Sequence, residues 1–208
     1  MGKLIAKIVL TGGPCAGKTS TIPRIEEHLI EKGYHVLILN ECATETIKQG
    51  IRPFGNNAAT VYDFENEILK LQLFKEKRLK ESVNYYPDDT KVVILYDRGS
   101  VDVYAYLGKE QYDRILKENN LKHEELVNEY DLVIHMITVA ADMENRYSNA
   151  NNKTRFEDSE EAINVDNNIK EAWNDCPNLK VVPVCEYLED KIQMTINYVD
   201  ELLKEKDQ

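Results

Sequence analysis

Five short apolar runs punctuate the chain: Leu4–Leu10, His35–Leu39, Lys91–Tyr96, Asp131–Thr138 and Lys180–Val184. They are rich in Val, Ile and Leu and barely alternate, which is the pattern of strands buried on both faces. Between them, apolar positions recur at helical spacing. Ile22, Ile25, Leu29 and Ile30 mark one side of a helix over 19–32, which Gly33 ends. A long helix is expected from about Ala58 to Ser82, after a loop carrying Gly50, Pro53 and Gly55. A second helical region follows Arg98 and breaks at Gly108, and the tail from Asp190 reads as an amphipathic helix. The alternation predicts an α/β fold of three layers, helices covering both faces of a mostly parallel five-stranded sheet. With 208 residues and no internal repeat or linker, a single domain over 1–208 is expected. It carries a helical insertion at about 42–87 and a polar, Asn-rich, lid-like segment at about 141–161.

Composition sets limits on function. Apolar side chains make up 42%, enough for a core. Asp and Glu outnumber Lys and Arg by 37 to 26, a formal charge of −11. Such a surface repels nucleic-acid backbones and anionic membranes, so neither is an expected partner. No apolar run approaches the ~20 residues needed to span a bilayer. The first residues lack a signal-peptide pattern, and the four cysteines form no C-x-x-C pair. Free thiols and a cytoplasmic location are expected.

The strongest chemical signal is Gly12-Gly13-Pro14-Cys15-Ala16-Gly17-Lys18-Thr19, followed by Ser20. It fits G-x-x-x-x-G-K-[ST], and it lies between an expected strand and an expected helix, as a phosphate-binding loop must. The glycines let backbone N–H groups cradle phosphate oxygens, and the helix start adds its positive dipole end. Lys18 would reach the β- and γ-phosphates, and the Thr19 hydroxyl would ligate Mg²⁺. Cys15 reads as a small filler within the loop. Asp97 and Arg98 end the third apolar run; there the carboxylate can hold Mg²⁺ and the guanidinium can contact phosphate, or the two can form a strand-end salt bridge. Glu41 ends the second run and can take a proton from an acceptor hydroxyl. Arg155, with Arg146 a weaker candidate, can neutralise charge developing on a transferred phosphoryl group, unless the segment is only a solvated loop. Gln72 and Asp102 are candidate acceptor ligands, with packing roles as the alternative.

These residues resemble a known group. The phosphate loop, Glu41-Cys42-Ala43-Thr44, and Asp97-Arg98-Gly99 followed by Asp102 and Tyr106 look like the P-loop family related to the kinase domain of bacterial ribosylnicotinamide kinase/adenylyltransferase. Deoxynucleoside and nucleoside-monophosphate kinases look like more distant relatives. The stretches 134–141, 151–157 and 160–173 look most like the P-loop half of an animal GTP-binding translocation-defect protein. The resemblance implies a nucleoside- or nucleotide-kinase-like fold with a lid, and ATP or GTP with Mg²⁺ as cofactors. It also implies Gln72, Asp102, Glu41 and Arg98 as acceptor-site residues.

Two functions follow. The first is a kinase moving the γ-phosphoryl group of ATP to a nucleoside-like small molecule. The second is a GTP- or ATP-binding NTPase or switch acting on a protein partner. The small-G-protein motif N-K-x-D is missing; the only Asn-Lys pair is Asn152-Lys153, within the lid-like segment.

Overall fold

The computed structural model describes residues 1–141 and 159–206. The five expected runs form the strands β1 (Lys3–Thr11), β2 (His35–Leu39), β3 (Lys91–Asp97), β4 (Leu132–Met136) and β5 (Leu179–Val182). Their order is β2-β3-β1-β4-β5, and every pairing is parallel. The helices are α1 (Lys18–Glu31), α2 (Cys42–Lys48), α3 (Val61–Ser82), α4 (Tyr104–Glu118), α5 (His123–Val127), α6 (Ser159–Ala172) and α7 (Leu188–Lys206).

Alternate residues of β1 point into two separate cores. Val9 joins Ile94, Tyr96, Val133 and the side chains of α3, α4 and α6 on one face. Ile8 and Leu10 join Val93, Leu95 and Ile134, with Ile25 and Leu29 of α1 and Val199 of α7, on the other. That division is the expected three-layer arrangement. The long helix starts at Val61 rather than near Ala58, because Thr60 caps it by accepting a hydrogen bond from the Asp63 N–H. A short helix, α2, opens the insertion where no periodicity marked one. At seven residues it is too short to give a repeating signal. Gly108 interrupts α4 as expected, with φ +67°.

β1 is central, and the chain leaves it toward β3 and β2 before returning to add β4 and β5 on the other side. A crevice therefore opens at the carboxyl end of β1, where α/β sheets bind ligands. No helix among the described residues is long and apolar enough to cross a membrane. Arg146, Arg155 and nearly all of the lid-like segment lie outside the described residues.

Candidate active site

The loop from Gly12 to Gly17 joins β1 to α1. Gly12 has φ +138°, and a Cβ there would strike the main-chain oxygen of Met136 on β4. Only glycine lets the chain leave β1 in this direction. The loop carbonyls are held from all sides. Lys18 Nζ donates to the oxygens of Gly12 at 2.7 Å and Gly13 at 3.1 Å. The Thr138 hydroxyl donates to Pro14 O at 2.5 Å, and Lys191 Nζ, from α7, donates to Ala16 O at 2.9 Å. On the N–H side, Gly13 donates to Asp166 Oδ1 of α6 at 2.6 Å. Burial alone would raise the Asp166 carboxyl; His135 and the Gly13 and Thr138 amides outweigh it and hold the group below its ordinary value. Gly17 sits at the N-cap of α1 and offers no capping side chain, and the first turn carries no acid. A helix start so built suits an anion. Thr19 and Ser20 lie exposed on this first turn, and Lys18 is buried against the loop. Cys15 is exposed within the loop at φ +57°.

The ends of β2 and β3 bring two further candidates beside the loop. Asp97 pairs in register with Leu10, two residues before Gly12. Glu41 follows β2, and its Oε1 accepts Arg98 Nε at 2.5 Å while its Oε2 accepts the Thr44 hydroxyl at 2.5 Å. Arg98 Nη1 lies 3.4 Å from Gly12 O and 3.7 Å from Asp102 Oδ2. Burial opposes the Arg98 charge, but Tyr106, Glu41 and Asp102 outweigh it, so its proton is held more tightly than usual. Its Nη2 is buried without a hydrogen-bond partner among the described residues, which leaves a donor for an oxygen of a bound molecule. Arg98 also has φ +76°, a strained backbone for a side chain of this size. Its N–H donates to Leu10 O at 2.9 Å, and its own carbonyl accepts from Gln72 at 3.2 Å. The strand end is thus pinned with the guanidinium aimed between loop and pocket.

A cavity of about 450 Å³ adjoins this edge. Its walls are largely apolar, with Phe54, Phe64, Ile68 and Val103, and its polar lining includes Glu41, Glu65, Gln72, Arg98 and Asp102. Such a size and mixture fit a small organic molecule. Asp102 is buried and tied on both oxygens: Oδ2 accepts the Thr11 hydroxyl and Oδ1 the Trp173 indole N–H, each at 2.6 Å. It braces β1, Arg98 and the turn that follows α6 at the pocket floor. Gly99 leaves room for the same indole, since a Cβ there would come within 2.5 Å of it.

The loop, Glu41, Asp97, Arg98, Gln72 and Asp102 therefore meet at one sheet edge. Asp166, Lys191 and Trp173 are additions to the expected set. Asp166 and Lys191 have a sequence signal. Asp166 falls between Ala162 and Ile169 on the buried stripe of its helix, and Lys191 precedes Thr195 and Val199 on another. A polar residue on an apolar stripe marks a buried tie rather than a solvated charge.

The sequence profile of the AAA domain family matches residues 7–191, from β1 into α7. The chain belongs to this P-loop family. It is 24% identical over 205 residues to a thymidylate kinase from Caldicellulosiruptor saccharolyticus, across 96% of this chain and 98% of that one. In structure it resembles the deoxyadenosine kinase from M. mycoides solved with bound dATP, with a TM-score of 0.58 and 18% identity over 94% of this chain and 99% of the other. The same enzyme solved with dCMP and dCDP aligns with a TM-score of 0.59 at 15% identity. The described residues share the fold of that nucleoside kinase.

Proposed function

We propose that this protein is a kinase that transfers the γ-phosphoryl group of ATP, or of GTP, to a hydroxyl of a nucleoside-like small molecule. One observation carries the reading: Arg98 reaches the phosphate loop and, with its partner Glu41, lines the 450 Å³ cavity, so a donor and an acceptor would meet across this pair. A switch protein has no need of an acceptor pocket beside its phosphate site. The names of the relatives, thymidylate kinase and deoxyadenosine kinase, point the same way.

Each residue takes a role from its place. Lys18 and the first-turn amides of α1 bind the phosphates. Thr19 and Asp97 supply a hydroxyl and a carboxylate at adjoining element ends, the hard oxygen donors that suit Mg²⁺. Mg²⁺ held there would neutralise charge on the β- and γ-phosphates. Glu41, fixed by Arg98 and Thr44, accepts the acceptor hydroxyl's proton as the new O–P bond forms and the bond to the β-phosphate oxygen breaks. Arg98 steadies Glu41 and offers Nη2 to the transferred group. Gln72 and Asp102 shape the acceptor side. Arg155 is assigned to charge neutralisation over the phosphates.

A screen of nucleosides, nucleotides and ribosylnicotinamide with ATP or GTP, read by mass spectrometry for phosphorylated product, tests the proposal. A phosphorylated nucleoside-like product is expected. Nucleotide turnover stimulated only by a protein partner, with no small product, would favour the switch.

A further inference from the structure

Lys191 stands on the first turn of α7, distant in sequence from the phosphate loop. It is more deeply buried than the loop's own Lys18, at 1% exposed against 8%. Its Nζ donates to Ala16 O at 2.9 Å and to Ile137 O at 2.6 Å, and so ties the loop to the chain leaving β4. Both partners are carbonyls, which only accept, so two of its N–H groups are committed. Leu188, three residues earlier on the same face of the helix, presses on the same place: a Cβ at Gly17 would meet its Cδ1 at 2.9 Å. Burial pulls the proton affinity of Lys191 down, while Cys185 and Asp166 hold it up. An ammonium in such a place depends on its partners, and one of them is the phosphate loop itself.

A trans peptide is planar, so its C=O and the following N–H point in opposite directions. No peptide bond among the described residues is cis. With Ala16 O drawn toward Lys191, the Gly17 N–H faces the other way. The Thr138 hydroxyl acts alike on Pro14 O, at 2.5 Å, and so turns the Cys15 N–H. Thr138 follows Ile137, so both carbonyls are drawn to one side of the loop and both amides face the opposite side. The backbone agrees. Cys15 and Gly17 have φ +57° and +102°, and Ala16 between them is not left-handed, an alternation that makes an anion-cradling nest. A left-handed cysteine is strained and persists only where its surroundings fix it. Here a pinned peptide lies on either side of it.

We infer that Lys191, with Thr138 as its companion, is a positioning residue of the phosphate site: it holds the Ala16–Gly17 peptide from behind and so presents the Gly17 N–H to the phosphates of a bound nucleotide. Lys18 meets the phosphates directly, whereas Lys191 acts through the main chain. The start of α7 is thereby part of the nucleotide site. The inference rests on reading the loop as a phosphate site and is independent of the acceptor cavity.

The probe is inorganic tripolyphosphate with Mg²⁺, beside ATP. In protein carrying isotope-labelled glycine, the Gly17 amide resonance should move as tripolyphosphate binds, while that of Gly33, beyond the far end of α1, should stay. A Gly17 resonance unmoved at saturation overturns the inference. By calorimetry, Lys191→Met should weaken both tripolyphosphate and ATP by about tenfold. Thr138→Val should weaken both as well, and Thr138→Ser, which keeps the hydroxyl, should restore them. A structural role alone would lower the urea midpoint and leave the affinity of the folded protein unchanged; that outcome overturns the inference. The glycine spectrum needs no variant, so it decides even where Lys191→Met does not fold. The expected losses, with no phosphorylated product from any acceptor, overturn the kinase proposal and leave the inference standing. Native protein that binds none of tripolyphosphate, ATP and GTP overturns both.

Discussion

The guanidinium of Arg98 lies 2.5 Å from the carboxylate of Glu41, joining the ends of two adjacent strands directly beside the phosphate loop. The pair is largely buried, so each charge depends on the other. Glu41→Gln keeps the shape and loses the base. Turnover should fall about 10²–10⁴-fold, the usual range for a general base, while ATP affinity stays nearly constant. Steady-state kinetics with calorimetry separates the two quantities.

Arg98→Ala removes the guanidinium that pairs with both Glu41 and Asp102. Breaking a buried pair in this way costs about 3–5 kcal/mol, to be read from urea unfolding. Arg98→Lys should recover part of the stability but little activity, because a point charge cannot reach Glu41, Asp102 and Gly12 together.

Lys18→Ala removes the charge that both braces the loop and meets the phosphates. Loss of a charge-assisted bond is worth about 1.5–3 kcal/mol, roughly ten- to a hundredfold in ATP affinity. Calorimetry on the folded variant should show it. Arg155→Ala should instead lower kcat more than ATP affinity, since it is assigned to charge that develops during transfer.

Stability should depend on pH through Glu76. Burial pushes its carboxyl from the ordinary 4.5 up to about 7, with Gln72 and Tyr130 opposing the shift. Between those values the folded chain binds the extra proton, so this contribution is fully present below the unfolded value and is lost as pH rises through about 7. Urea midpoints taken across about pH 5 to 8 should fall less steeply in Glu76→Gln than in the native protein. An unchanged slope would remove Glu76 from the account.

The parallel strands and the phosphate loop are legible in sequence because their signals are local: unbroken Val and Ile runs, and eight consecutive residues with fixed roles. The acceptor side is legible only in part. Glu41 and Arg98 stand at strand ends, which the pattern marks, but their contact depends on β2 lying next to β3. Asp166 meets Gly13 across 153 positions, and Trp173 meets Asp102 across 71, and no window of sequence holds such a pair. Gln72 and Glu76 leave a local trace: two polar residues four apart on the buried face of α3, beneath Ile68 and Leu69. Their mutual bond appears only in the folded chain.

The central claim is that the cavity beside Arg98 and Glu41 holds the molecule that receives the phosphoryl group. The most direct measurement is the rate of ADP formation from ATP with and without a nucleoside acceptor, alongside the amount of phosphorylated acceptor. The account predicts slow hydrolysis alone, acceleration by orders of magnitude with the right acceptor, and one phosphorylated acceptor for each ADP. ADP appearing at the same rate with or without every acceptor, with inorganic phosphate as its partner product, would contradict it.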